Sequence, residues 1–140
     1  VMQLRPYRNS DEVAVIQLWQ RCALTRPWND PHRDIARKCA EDPSLFLIGT
    51  IDEQVMASAM AGYDGHRGWL YYLAVAPERQ GRGFGRALIE AVESLLIARG
   101  CPKLMMMVRP GQPRLIDYYH ELGYETGEFT TLGKRLVVDE

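Results

Sequence analysis

The chain has 140 residues, 46% of them hydrophobic and 25% charged, with a formal net charge of -1. That is the size and composition of one globular domain able to bury a core without staples, and the near-neutral balance excludes a global basic field for nucleic acid or anionic lipid. No apolar run approaches a membrane span and the first residues lack the apolar core of a signal peptide. Cys22, Cys39 and Cys101 are odd in number and free of any CxxC, and His32, His66 and His120 make no ligand spacing with them. The expectation is a soluble, cytoplasmic protein with reduced thiols and no metal.

Met2 to Pro6 reads as a first strand. Asn9, with Glu12 three residues on, has capping-box spacing and opens an amphipathic helix whose inward stripe is Val13, Ile16, Trp19 and Ala23. Arg26-Pro27-Trp28-Asn29-Asp30-Pro31 is loop chemistry, with Asp30 as cap and Pro31 in the first turn of a second helix that ends near Asp42-Pro43. Leu45 to Ile51 and Gln54 to Tyr63 read as strands joined tightly at Asp52-Glu53. After the polar loop Asp64-Gly65-His66-Arg67-Gly68, the run from Trp69 to Val75 is apolar throughout, which predicts a strand covered on both faces.

A glycine-rich loop follows, then a helix to about Arg99 with Phe84, Leu88, Val92 and Leu95 inward, stopped by Gly100. Lys103 to Val108 returns as a strand, and a strand–loop–helix–strand crossover makes those two strands parallel. A short helix from Leu115 to Leu122 ends at Gly123, and two final strands occupy Tyr124 to Val138. The fold class is mixed α/β, not doubly wound, in a single domain spanning residues 1–140.

The segment richest in chemistry is Arg79-Gln80-Gly81-Arg82-Gly83-Phe84-Gly85-Arg86, between a buried strand and a helix start. Glycines let the backbone approach a ligand closely. The helix N-terminus adds unsatisfied donors and partial positive charge, and Arg79, Arg82 and Arg86 can add cationic contacts to a polyphosphate. A tight strand-to-helix turn with solvated arginines is the competing reading, but Gly81, Gly83 and Gly85 are more glycine than such a turn needs. A Walker A loop would end in Gly-Lys-Ser/Thr, and this loop has no lysine. A dinucleotide fingerprint would want glycine or alanine where Arg86 stands and an acid at the tip of the next strand, which is Val108-Arg109.

Gln80, Gly83 and Gly85 match the Gln/Arg-x-x-Gly-x-Gly/Ala acyl-CoA signature, and Tyr119-His120-Glu121-Leu122-Gly123-Tyr124 matches a Tyr-x-x-x-Gly-Phe/Tyr signature at the expected distance downstream. On these motifs, and on the order of its elements, the chain resembles the GNAT superfamily of acetyltransferases along its whole length. Arg26 to Pro31, Gly62 to Gly68 and Leu132-Gly133-Lys134-Arg135 resemble bacterial YpeA-type members.

That resemblance implies a mostly antiparallel sheet of about seven strands with a central, splayed parallel pair, and about four helices. It implies acetyl-CoA as co-substrate, with pantetheine pairing along Leu73, Ala74 and Val75 and the pyrophosphate resting on amides from Gly81, Arg82, Gly83, Phe84, Gly85 and Arg86. The implied reaction is direct attack of an acceptor amine on the thioester, with a backbone N–H near Val75 as oxyanion donor and Tyr119 as the acid that protonates the leaving thiolate. Packing is the competing role for Tyr119, since Leu115, Tyr118, Tyr119 and Leu122 share one helical stripe.

The sequence departs from the family in its general base. Trp69 to Tyr72 and Met105 to Met107 hold no carboxylate where many relatives carry a glutamate, and Met107 stands about where the ribosomal-protein α-amine acetyltransferases have their base. A water chain, Asp64 or His66 are the substitutes. Gln112 replaces an asparagine common in the family. For the acceptor, Arg26 offers a two-pronged carboxylate contact and Trp28 an apolar wall, with Asn29, Asp30, Tyr63, Asp64, His66, Tyr71 and Tyr72 as further lining candidates. Plain structural roles for Trp28 and Asp30 stay open. A non-catalytic acyl-CoA-binding sensor or interaction module is the alternative function. Neither nucleic acid nor membrane is an expected partner, and a homodimer is left open.

Overall fold

A computed structural model describes residues 1–139. It divides into two compact units, one of residues 1–106 joined by Asp139, the other Met107–Val138.

The first unit is a five-stranded sheet in sequential order, β1 (Gln3–Pro6), β2 (Phe46–Ile51), β3 (Gln54–Tyr63), β4 (Gly68–Val75) and β5 (Leu104–Met106). The first four strands pair antiparallel, and β5 runs parallel to β4. Three helices cover it: α1 (Glu12–Arg21), α2 (Pro31–Glu41) and α3 (Phe84–Ala98). β2 is buried at every position. Phe46 and Ile48 join Val15, Ile16, Leu18 and Trp19 of α1 and Ile35 of α2 in one core layer. The alternate residues of the sheet face a second layer made by Leu88, Ile89, Val92 and Leu96 of α3.

Local chemistry accounts for several boundaries. The Asp30 carboxylate accepts from His32 N–H at 2.9 Å and Pro31 occupies the first turn, so α2 begins where the cap and proline predict. Asp52 and Glu53 both adopt positive φ, 50° and 64°, which makes the two-residue link between β2 and β3. α3 ends at Gly100, φ 79°, whose neighbour Cys101 N–H reaches back to Leu96 O at 3.0 Å.

Other expectations need correction. The first helix does not start at an Asn9–Glu12 capping box. A short 3-10 turn, Asn9–Asp11, precedes α1, and Asp11 is the organising acid. Its carboxylate accepts from Arg8 N–H at 2.8 Å and from both Arg5 amino groups at 2.7 and 2.8 Å, and the Arg5 guanidinium holds its pKa below the usual carboxylate range. The inward stripe of α1 is Val15, Ile16, Leu18 and Trp19; at about 100° per residue Val13 lies across the helix from it, at 68% exposure, and Ala23 lies beyond the helix at φ 57°. In α3 the buried stripe runs through Ile89 and Leu96, with Leu95 exposed. β4 is not covered throughout, since Tyr71 is 43% exposed.

The second unit holds α4 (Pro113–Glu121), closed by Gly123 at φ 96° with Tyr124 N–H on Tyr119 O at 3.0 Å. The two strands expected over Tyr124 to Val138 do not form, so the sheet has five strands rather than seven. That stretch has the β-branched residues of a strand but makes no ladder pairing, and strand propensity yields a strand only against a paired neighbour. Among the described residues, no helix is long and apolar enough to cross a membrane, and no group of three or more His, Cys, Asp or Glu is placed to hold a metal ion.

Candidate functional site

β4 pairs with β5 only from Gly68 to Leu70, where the ladder ends at Met106. Beyond that point β4 runs on to Val75 and, among the described residues, pairs with β3 alone. Within this half it carries a β-bulge. Met60 faces Tyr71 and Ser58 faces Ala74, so β4 spends one residue more than β3 across the same interval. The bulge centres on Tyr72, whose φ of 51° is left-handed, a strained state for a non-glycine residue.

Three contacts fix it there. The buried Ser58 hydroxyl donates to Tyr72 O at 2.8 Å and accepts from Trp19 Nε1 at 2.9 Å, while the Tyr72 ring stacks on the Trp19 ring with centroids 3.7 Å apart. Ser58→Ala would leave a buried indole N–H and a bulged carbonyl unpaired, at about 1–3 kcal/mol for each group. We expect a lower urea midpoint with an unchanged m-value; a midpoint within error of the parent would show that the bulge does not depend on this hydroxyl.

From Val75 the chain passes through a 3-10 turn, Pro77–Arg79, into the glycine loop. Gly81 and Gly83 have φ of 78° and 82°, and a Cβ at either position would meet nothing within 4 Å, so the surface above them is open. Gly83 is the N-cap of α3 and provides no side-chain cap, which leaves the first-turn amides of α3 without an intrahelical acceptor. Arg82 and Arg86 are exposed, Arg86 pairing with Glu90 at 2.9 Å, and the buried Nε of Arg79 has no hydrogen-bond partner among the described residues. Gln80 folds back to donate from Nε2 to Val75 O at 3.0 Å, tying the loop to the end of β4. The Cys22 thiol reaches the same carbonyl at 3.3 Å, and burial pushes its pKa up.

The first two helices approach β4 at the bulge. The Tyr72 hydroxyl donates to Asp34 Oδ2 of α2 at 2.7 Å. Burial first, then this hydrogen bond to Asp34, raises the Tyr72 pKa well above that of a free phenol. Arg26 spends its guanidinium on the carbonyls of Ala23 and Thr25, both at 2.8 Å, and so braces the loop after α1. Trp28 is 53% exposed, and Asp30 caps α2.

Residues 13–124 match the model of the acetyltransferase (GNAT) family. The chain belongs to the GNAT acetyltransferase family. It is 52% identical to an acetyltransferase of Pectobacterium atrosepticum, over 99% of this chain and 98% of that one. To an uncharacterized N-acetyltransferase of Yersinia pestis it is 51% identical, over 99% of each. Among solved structures it superposes on AAC(6')-Iy in complex with the bisubstrate analog CoA-S-monomethyl-acetylneamine, with a TM-score of 0.79 at 18% identity, covering 98% of this chain and 99% of that one. A GNAT acetyltransferase from Brucella melitensis in complex with acetyl-CoA gives a TM-score of 0.70 at 21% identity, covering 90% and 84%. At such identities the two structures establish the α/β GNAT fold.

Within that fold the sequence-predicted residues fall into separate groups. Leu73 to Val75, Gln80 to Arg86 and Tyr72 come together around the end of β4 and the start of α3. Tyr63, the last residue of β3, and Asp64 and His66, in the turn after it, sit at the other end of β4. Asp64 accepts from His66 N–H at 2.8 Å and Arg67 N–H at 2.7 Å, which holds its pKa down and makes it the organiser of that turn. The Tyr63 hydroxyl reaches Gly65 O at 3.3 Å.

Tyr119 belongs to the second unit. Its ring meets Tyr118 and Tyr124 edge-on, at centroid distances of 5.5 and 6.1 Å, and burial pushes its pKa up to about 12. Asp34, Ser58 and Trp19 were not singled out as site residues from the sequence, because their partners lie 38 and 39 residues away in the chain.

Proposed function

We propose that this chain transfers an acetyl group from acetyl-CoA to an amine of a small molecule or peptide, by direct attack on the thioester. The observation that carries the reading is the open, two-glycine loop at the uncapped start of α3, beside an orphaned buried arginine nitrogen. Such a surface fits the pyrophosphate of the co-substrate, because amide donors and a helix N-terminus favour an anion. The stretch of β4 beyond Leu70, paired on one side only, supports pantetheine adding along it as an extra strand, with a backbone N–H of that stretch as oxyanion donor. The matched stretch 13–124 runs through both compact units, which supports one family domain over the whole chain.

Tyr119 is the donor to the leaving sulfur. A thiol of pKa roughly 8.5 is the stronger acid beside a phenol raised to about 12. Full proton transfer from Tyr119 is therefore uphill, and the phenol serves by hydrogen-bonding the charge that develops on sulfur. The test is calorimetric titration with acetyl-CoA, followed by thiol release across a broad panel of primary amines. Binding with turnover is the expected result. Absence of binding would overturn the reading, and binding without transfer to any amine would replace it with an acyl-CoA-binding module.

A further inference from the structure

A reaction of this kind must take a proton from an acceptor that is a charged ammonium at neutral pH. Neither central strand supplies a base: β4 is Gly-Trp-Leu-Tyr-Tyr-Leu-Ala-Val and β5 is Leu-Met-Met. The first turn of α2 brings a carboxylate to β4 instead. We propose that Asp34 is the proton acceptor for the incoming amine, working through the Tyr72 hydroxyl. The inference rests on the acetyltransferase reading above and deepens it.

Three observations carry it. Tyr72 is the bulge residue of β4, next to Leu73 and just past the point where β5 stops pairing, and its ring is clamped on the buried Trp19. Its hydroxyl donates to Asp34 Oδ2 at 2.7 Å, with the Asp34 side chain only 22% exposed. The other carboxylate oxygen faces Arg37 at 3.3 Å. The charged groups around the pair are thus Arg37 on one side and, sharing that guanidinium's field, Asp30 and Asp139; Arg33 lies beside Asp30 at 3.7 Å and Asp139 at 3.9 Å. Burial and the Asp34 contact both oppose a free tyrosinate, so Tyr72 cannot store the charge itself. A proton arriving at its oxygen has to be matched by its own proton leaving for Asp34.

The step balances as follows. The ammonium gives one proton to the Tyr72 oxygen as the Tyr72 proton moves to Asp34 Oδ2. The neutral amine then forms the C–N bond at the thioester carbonyl. The C–S bond breaks, and the second nitrogen proton ends on the departing sulfur. Tyr72 touches the amine, and Asp34 acts through it as a positioning and proton-storing group.

The experiment compares the parent with Asp34→Asn and Tyr72→Phe. Asparagine can still accept the Tyr72 hydrogen bond but cannot take the proton, and phenylalanine keeps the stack on Trp19. Two probe acceptors are used at high concentration with acetyl-CoA: butylamine, charged at pH 7, and hydroxylamine, neutral there. Both variants should bind acetyl-CoA like the parent by calorimetry and lose about a hundredfold in kcat/KM for butylamine, but about tenfold or less for hydroxylamine, which arrives without that proton. The parent's rise in butylamine rate with pH should lie at lower pH than that of either variant. Equal loss for both probes would mean a structural role, and no loss for butylamine would remove the relay; either overturns the proposal while the transferase reading survives. A parent that acetylates hydroxylamine but not butylamine also overturns it. A parent that binds acetyl-CoA and acetylates neither probe removes the transferase reading, and this proposal with it.

Discussion

Gly83→Glu should abolish acetyl-CoA binding by a protein that still folds. Gly83 sits at φ 82° with open space where its side chain would go, so the carboxylate projects into the surface assigned to the pyrophosphate. Two unit charges about 4 Å apart interact by about 4 kcal/mol at an effective dielectric near 20, roughly a thousandfold in affinity. Gly83→Ala separates charge from backbone strain. It carries the left-handed penalty of about 1–2 kcal/mol without the carboxylate, and should weaken binding far less than glutamate does. Calorimetry on the three proteins, with circular dichroism as a check on folding, decides the matter. If Gly83→Glu binds like the parent, the loop is a turn and not a phosphate site.

Tyr119→Phe should lower turnover about a hundredfold to a thousandfold, the range for one hydrogen-bond donor to developing charge, with little change in acetyl-CoA affinity. Phenylalanine keeps the edge-on packing with Tyr118 and Tyr124 and deletes the hydroxyl alone. The pH profile adds a second readout. With the Tyr119 pKa near 12, no loss of activity from its ionisation is expected below about pH 10. An unchanged kcat would return Tyr119 to the role its helical stripe also allows, that of a packing residue.

What could be read from the sequence was local chemistry. Asp30 before Pro31, the Asp52-Glu53 link, Gly100 after α3 and the glycine loop before it are each set by a cap, a turn or a left-handed backbone within a few residues, and each stands where it was expected. In α1 the i, i+3 spacing from Val13 to Ile16 and Trp19 suggested one face, but the stripe that forms is centred between Val15 and Trp19, and at about 100° per residue Val13 falls on the far side of the helix from it. The strands expected after Tyr124 had the right residues, but a strand is a property of a pair, and propensity holds no information on the partner. The contacts that shape the site were invisible for the same reason. Asp34 in a polar first turn, Ser58 in a small-residue strand and Trp19 in a helix stripe look ordinary alone, and gain meaning only where the bulged Tyr72 meets all three.

The bulge also makes one strand serve two layers with residues of the same parity. Gly68 faces α3, where a Cβ would strike Leu96 at 2.8 Å, while Tyr72 stacks on α1 and Ala74 joins the core on that side. In an unbroken strand residues 68, 72 and 74 would share a face. Loss of the extra codon at position 72 would restore the simple alternation and leave Gly68 and Ala74 on their own layers, whereas a loss elsewhere in β4 would turn one half of the strand inside out relative to its layer. A deletion scan through β4 would therefore find its sharpest losses of folded protein on either side of the bulge, and a milder one at position 72, where the register survives and only the Tyr72 contacts are lost.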